Sequence, residues 1–228
     1  MIERAIAFDL SSKCIGTTCA ALSDGEIIYL KTFSIIPATF RPKNLGWLST
    51  KKTFFTAQGA KYSSYVCSRD EKVTKQEAKA RDAKFRDEQR RLKLRSIAEK
   101  INEVITVVKP TVLIIEKNMA FNGILTTKQL AEIAGEVHAF AGILKIPLFE
   151  YYVQTIRKRY NISFLLKEYC KDKTREELMA IEDKNKYLLK LELLKRFGKY
   201  GLNENMNFDE SDSLAAFAHW YDFDFGND

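Results

Sequence analysis

Four carboxylate side chains in this 228-residue sequence stand where a divalent metal ion could bind. Asp9 lies at the end of the apolar run RAIAFDL, and Glu116 follows the apolar run TVLII, so each ends a predicted strand. Asp209 and Asp212 stand three residues apart in FDESDSLAAFAHW, a spacing that places both on one face of a helix. A charge at the end of a buried strand is costly unless it is paired or binds a metal.

Each carboxylate has a simpler interpretation when it is considered alone. Asp9 could be a turn residue, Glu116 a charge at the rim of the fold, and Asp209 the N-cap of the last helix. Together, converging strands and a helix would crowd like charges that a cation must neutralise, and such hard oxygen ligands are typical of Mg²⁺ or Mn²⁺ sites. Two ions about 3.5–4 Å apart can activate a water and stabilise the leaving 3′ oxygen of a phosphodiester. The set therefore predicts a divalent-metal site, and phosphodiester cleavage is a reaction that such a site can support.

The elements that must position these residues follow from hydrophobic patterning. Three short strands joined by tight turns come first and form an antiparallel meander, and strands then alternate with amphipathic helices. This order predicts an α/β fold with a mixed sheet and helices on both faces. The predicted strands span 4–10, 11–22, 26–36, 111–115 and 146–152, and the predicted helices span 74–109, 127–144, 154–173, 183–197 and 209–221.

The charge of the chain is concentrated in one segment. The net charge is +7, but residues 37–100 alone hold 17 Lys or Arg against 7 Asp or Glu. Within it, basic residues alternate with aromatic ones, a composition that suits phosphate contacts and base stacking, although a solvated basic loop would look similar. We therefore expect a single domain over 1–228 with a basic aromatic insertion at about 37–91. No apolar run or leader indicates a membrane, so a cytoplasmic location is expected.

At its acidic positions the sequence resembles the RuvC family of Holliday junction resolvases, in the ribonuclease H and retroviral integrase superfamily. The matching stretches cover most of the chain: AIAFDLSSKCIGTTCAAL, LRSIAEKINEVITVVKP with TVLIIEKNMAFN, IPLFEYYVQTIRKRY and DESDSLAAFAHW. The family's four acids are matched by Asp9, Glu116, Asp209 and Asp212. The resemblance implies a ribonuclease H-like five-stranded mixed sheet, two Mg²⁺ or Mn²⁺ ions per site, and cleavage of branched DNA that leaves 5′-phosphate and 3′-hydroxyl ends.

The resemblance also implies partners. The family's members act as homodimers that cut two strands symmetrically, and the helix around Leu94–Val108 matches their dimer contact. Arg157 and Lys184 match DNA-contacting positions of the family. The remaining residues expected to contact DNA are their neighbours and side chains of the loop after Glu116 and of the insertion: Lys51, Lys52, Lys117, Phe121 and Lys158.

Two features depart from the family pattern. An aromatic residue usually follows the catalytic Glu closely and wedges into the junction, whereas here Met119 or Phe121 would have to serve. The basic insertion is longer than in typical bacterial members, which suggests a divergent, phage-type relative. We expect the insertion to broaden recognition to forks and flaps.

Two other classes of function remain open at this stage. The stretch FDLSSKCIGTT also resembles the phosphate loop of actin-like ATP-dependent kinases, although those enzymes need a second similar domain and further glycine-rich loops. The chain has only ten glycines. A catalytically silent DNA-binding module would keep the fold but has no need of four intact acids.

Overall fold

The computed structural model describes residues 2–11, 14–36, 50–55, 61–66, 75–117, 124–171, 173–179, 181 and 183–226. The chain divides into two compact units. The core unit comprises residues 1–36 and 101–228, and the insertion unit comprises residues 37–100. None of the helices in the described part of the chain combines the length and the apolar character needed to cross a membrane.

Seven strands and seven α-helices are described. The strands are β1 (Ile2–Asp9), β2 (Ile15–Ser23), β3 (Glu26–Ile35), β4 (Thr50–Phe55), β5 (Lys61–Val66), β6 (Val112–Lys117) and β7 (Leu148–Tyr152). The helices are α1 (Lys75–Val108), α2 (Ile124–Leu144), α3 (Val153–Arg159), α4 (Ile162–Lys171), α5 (Arg175–Met179), α6 (Lys184–Phe197) and α7 (Phe208–Phe223), with a 3₁₀ turn at Gly198–Tyr200 after α6.

The core unit is built on a five-stranded sheet of order β3-β2-β1-β6-β7. The first three strands pair antiparallel, whereas β1, β6 and β7 run parallel. This order and these directions confirm the predicted five-stranded mixed sheet, with three antiparallel strands followed by parallel ones. Central strands β1 and β6 are buried on both faces, as their continuous apolar runs predict, while β3 and β7 form the edges.

Helices cover both faces of the sheet. On one face, Ala5, Ala7 and Ile114 pack in one core cluster with Phe217 of α7. Residues one position along the strands, such as Ile115, point to the opposite face, where α2 lies. The long helix predicted for residues 74–109 is confirmed as α1.

The face beneath α7 is lined by small side chains, which allow the helix to lie close to the sheet. Ala5, Ala7 and Ala20 are almost fully buried there. Gly16 of β2 marks the closest approach, because a Cβ atom added to it would lie 1.8 Å from the carbonyl oxygen of Asp209. A buried hydrogen bond of 2.9 Å between the hydroxyl oxygens of Thr18 and Ser213 joins the same two elements.

Two of the element boundaries that differ from the sequence prediction have a clear physical reason. The helical stretch predicted for 154–173 is divided into α3 and α4, because Asn161 adopts the left-handed conformation with φ of 52°. The last helix begins one residue earlier than predicted, at Phe208, and its N-cap is Asn207 rather than Asp209. Asn207 accepts a hydrogen bond from the backbone N–H of Glu210, so the local cap does not need the Asp209 carboxylate.

The insertion unit contains an antiparallel hairpin. Strands β4 and β5 pair from Thr50 opposite Val66 to Phe55 opposite Lys61.

Replacing Gly16 by alanine should destabilise the protein. The new methyl group would force α7 away from β2, and overpacking of this kind costs about 1–3 kcal/mol. Gly135→Ala in α2 is the matched control, since nothing lies within 4 Å of the added atom there, and it should be neutral or stabilising. Thermal unfolding measures both, and a Gly16→Ala protein as stable as the wild type would contradict the close packing of α7.

Candidate active site

Asp9 and Glu116 lie side by side at the carboxyl ends of β1 and β6. They are register partners in the parallel pairing of these strands, and their exposed fractions are only 4% and 5%. Residues two apart in a strand share a face, so Asp9 lies on the face of Ala7 and Glu116 on that of Ile114, the face that α7 covers. The structure therefore brings together the two predicted carboxylates that are 107 positions apart in sequence.

Helix α7 adds the third buried carboxylate, Asp212, which is 2% exposed. Asp209, one turn earlier in the helix, is half-buried. Burial raises the pKa of Glu116 well above its usual range, and the negative charges of Asp9 and Asp212 raise it further. Burial also raises the pKa of Asp212, an effect to which Asp209 adds. The carboxylates thus form one electrostatically linked group, the acid cluster, consisting of Asp9, Glu116, Asp209 and Asp212.

Lys186 of α6 supplies positive charge to the acid cluster. Its Nζ lies 2.5 Å from Oδ2 of Asp212, and its side chain is 26% exposed. Burial by itself would lower the pKa of Lys186, but the charges of Asp212, Asp9 and Glu116 outweigh that effect and the pKa is raised. The ammonium group of Lys186 is therefore a direct ion-pair partner of Asp212.

Sequence reasoning missed Lys186 and selected Lys184, two residues earlier. A usable signal was present, because the first turn of α6 contains lysines and no acid. The helix dipole disfavours positive charge at an N-terminus, so a buried anion nearby is one reason for a lysine there.

Arg157 of α3 is a second source of positive charge. Its positive charge acts to lower the pKa of both Glu116 and Asp212, and so it opposes part of the increase caused by burial. The Nε atom of Arg157 is buried and has no hydrogen-bond partner within the described part of the chain. Arg157, which was predicted to contact DNA, therefore lies near the acid cluster, and its Nε–H donor has no partner within the described part of the chain.

The other residues predicted to contact DNA are not linked to the acid cluster by a side-chain contact or a pKa effect in the described part of the chain. Lys117, at the end of β6, is exposed and its Nζ lies 3.3 Å from Oε2 of Glu150. Lys158 is exposed on α3, and Lys184 is half-buried at the start of α6. Four further residues named in the sequence analysis lie outside what the structure describes: Met119 and Phe121, which follow β6 in the sequence, and the side chains of Lys51 and Lys52 in β4.

The donor types of the acid cluster suit a hard divalent ion, since all four are carboxylates. As they are placed, however, no three His, Cys, Asp or Glu side chains among the described residues surround a single point closely enough to hold a metal. Asp212 is instead paired with Lys186. The cluster therefore has the chemistry of a metal site, with an ammonium group beside one of its oxygens.

His219 is placed as a structural residue. Its ring packs against Tyr151 at 4.6 Å and against Phe223 at 4.8 Å between centroids. Burial lowers the pKa of His219, which favours the neutral ring. Its role is packing between α7 and β7.

Comparison with protein-family models gives no match, and comparison with curated proteins gives none. Among solved structures, the chain is similar to Thermus thermophilus RuvC in complex with a Holliday junction substrate, at 12% identity and a TM-score of 0.49, covering 99% of this chain and 97% of that one. A second RuvC structure from the same organism gives 15% identity, the same coverage and a TM-score of 0.46. A yeast mitochondrial Holliday junction resolvase gives 13% identity and a TM-score of 0.40, covering 96% and 78%.

The raised pKa of Glu116 makes stability depend on pH. A carboxyl group whose pKa is higher in the folded than in the unfolded state loses stability as the pH rises from its ordinary value through the raised one. Glu116→Gln should therefore raise the melting temperature at neutral pH in metal-free buffer, by about 2–4 °C if the gain is about 1 kcal/mol. At a pH below the ordinary pKa of Glu, the difference in melting temperature should vanish, because Glu116 is then protonated in both the folded and the unfolded protein.

Melting curves of the two proteins from pH 4 to pH 8, with a chelator present, measure this effect. Glu150→Gln is the control, since Glu150 is an exposed carboxylate on the neighbouring strand. A Glu116→Gln protein that is less stable than the wild type at neutral pH would contradict the prediction. It would show that neighbouring positive charges and hydrogen bonds stabilise the ionised Glu116 carboxylate.

Proposed function

We propose that this protein is a metal-dependent endodeoxyribonuclease that cleaves branched DNA, with four-way junctions as the first substrate class. One observation carries the proposal. Asp9 and Glu116 are buried side by side beneath Asp212, and carboxylates held this close need a cation. A phosphodiester-cleaving metal site is the chemistry that such a cluster suits best.

The four carboxylates of the acid cluster would hold the ions. When bound, a pair of Mg²⁺ or Mn²⁺ ions would supply an activated water and stabilise the leaving 3′ oxygen of the phosphodiester. Asp9 and Glu116 provide the rigid half of the site, because both are fixed in central strands. Asp209 and Asp212 provide the half carried by α7. The Lys186 ammonium would leave Asp212 and turn towards a phosphate of the bound strand.

Branched DNA is supported by the motif resemblance and by the distribution of charge. Three basic residues lie on the helices that follow β7: Arg157, Lys158 and Lys184. Of these, Arg157 is close enough to the acid cluster for its charge to affect the pKa of Glu116. The basic insertion would add a second surface, with Lys51 and Lys52, and would extend recognition to forks and flaps. A homodimer formed through the helix around Leu94–Val108 would carry two active sites, so that two DNA strands of the junction could be cut as a pair.

Asp9→Asn should abolish cleavage while DNA binding persists. The substitution keeps the size of the side chain but removes a charged ligand, and the cleavage rate should fall by about 100-fold or more. Fluorescent four-way junctions, forks and linear duplex in Mg²⁺ buffer measure cleavage, and gel-shift titration in Ca²⁺ buffer measures binding. Asp24→Asn in the β2–β3 turn is a matched control, because its left-handed backbone accepts asparagine.

The same assay separates the other functions. An Asp9→Asn protein that cuts at the wild-type rate would remove Asp9 from the site. ATP turnover by the wild type without DNA cleavage would favour the kinase, and binding without cleavage would favour the silent module.

Lys186→Met should make the protein depend on added metal for stability. Loss of the ammonium group leaves Asp212 without its partner and should cost about 1–3 kcal/mol, less than for a fully buried pair since the lysine is partly exposed. Adding Mn²⁺ should then raise the melting temperature of the variant more than that of the wild type, because the ion no longer competes with the ammonium group. Lys195→Met, which breaks the exposed pair with Glu192, is the control. If Mn²⁺ raised the melting temperature equally in the wild type, Lys186→Met and Lys195→Met, the ion and the Lys186 ammonium group would not occupy the same place beside Asp212.

A further inference from the structure

The motif DESD contains a third acid, Glu210, whose two oxygens face partners outside the acid cluster. Its Oε1 accepts hydrogen bonds from the Ser34 hydroxyl at 2.6 Å and from Nδ2 of Asn207 at 3.1 Å. Its Oε2 accepts one from the backbone N–H of Asn207 at 3.4 Å. Glu210 is thus engaged in hydrogen bonds at the start of α7, and these bonds lead away from the acid cluster to Ser34 and Asn207.

Ser34 connects this helix start to the sheet. An ordinary capping box is closed within the helix, here by the reciprocal bonds between Asn207 and Glu210. In this protein Ser34 of β3 joins it, because its hydroxyl donates to Glu210 and also accepts a hydrogen bond of 2.6 Å from Nδ2 of Asn207. Three side chains from two distant segments therefore form a closed triangle.

The register of the sheet explains why this triangle bears on the acid cluster. One row of paired residues crosses all five strands at the same level: Ser34, Gly16, Asp9, Glu116 and Tyr151. The first turn of α7 lies along this row. It is hydrogen-bonded at the Ser34 end, in close backbone contact at Gly16, and it brings Asp212 to the acids.

We propose that Ser34, Asn207 and Glu210 form a clasp that holds the first turn of α7 over this row, so that Asp209 and Asp212 stay within reach of an ion shared with Asp9 and Glu116. The need for the clasp is electrostatic, because Asp209 and Asp212 of α7, when ionised, are repelled by the ionised carboxylates of Asp9 and Glu116 on the sheet. The three clasp residues are positioning residues, and the idea rests on the proposed metal-dependent function.

The test measures Mn²⁺ binding by isothermal titration calorimetry without DNA. Ser34→Ala and Glu210→Ala should each weaken binding by about 10-fold or more, the usual effect of losing a group that orients metal ligands. Glu210→Gln should restore most of the affinity, since its amide oxygen can still accept from Ser34. The control is Tyr221→Phe, which removes a 2.8 Å hydrogen bond to the Gly25 carbonyl from the far half of the same helix. It should lower the melting temperature but leave Mn²⁺ affinity unchanged.

The outcomes separate the clasp from the proposed function. If the wild type binds Mn²⁺ and the alanine variants bind it equally well, the clasp is overturned and the nuclease proposal stands. If the wild type binds no Mn²⁺, the metal-dependent function fails, and amide hydrogen exchange over residues 211–213 then decides about the clasp. Faster exchange in Ser34→Ala and Glu210→Ala than in Tyr221→Phe would support it, and equal rates would overturn it.

Discussion

The parallel pairing of β1 with β6 is the constraint on which the rest of the site depends. In this register Asp9 and Glu116 become neighbours, and both are buried. Two carboxylates so placed repel each other and are poorly hydrated, so their surroundings must either neutralise them or bind a cation. The placement of Lys186, Arg157 and the start of α7 can be understood as responses to that pair.

The packing of α7 shows how two demands are met in one helix. Its apolar side completes the core through residues such as Leu214 and Phe217, whereas its first turn carries charged groups to the edge of the sheet. Small residues beneath it, Gly16 among them, make the approach close enough for both. The helix is therefore anchored by apolar contacts along its length and by polar contacts where it is electrostatically strained.

The sequence predicted well those features that arise from local pattern. Apolar runs ending in Asp9 and Glu116 indicated central strands, and these strands form. Contacts between distant segments were beyond such reasoning: Ser34 and Glu210 are 176 positions apart, and nothing in either local sequence indicates the other. Lys186 escaped notice for a related reason, since the helix α6 that carries it had no predicted position relative to α7. The simpler interpretation of Asp209 as the N-cap of the last helix is wrong, because Asn207 takes that position, and local sequence alone could not separate them since Asp and Asn both favour it.

The row of paired residues that crosses the sheet has a consequence for how such a protein can change over evolution. Side chains alternate between the faces of a strand, so a shift of one residue in β1 or β6 would turn a carboxylate to the opposite face. A conservative substitution in these strands alters packing by a small amount, whereas a single inserted or deleted residue removes a ligand from the site altogether. The number of residues in β1 and β6 should therefore vary less among descendants of this sequence than their composition, while the connection between β3 and α1 can lengthen without moving the row.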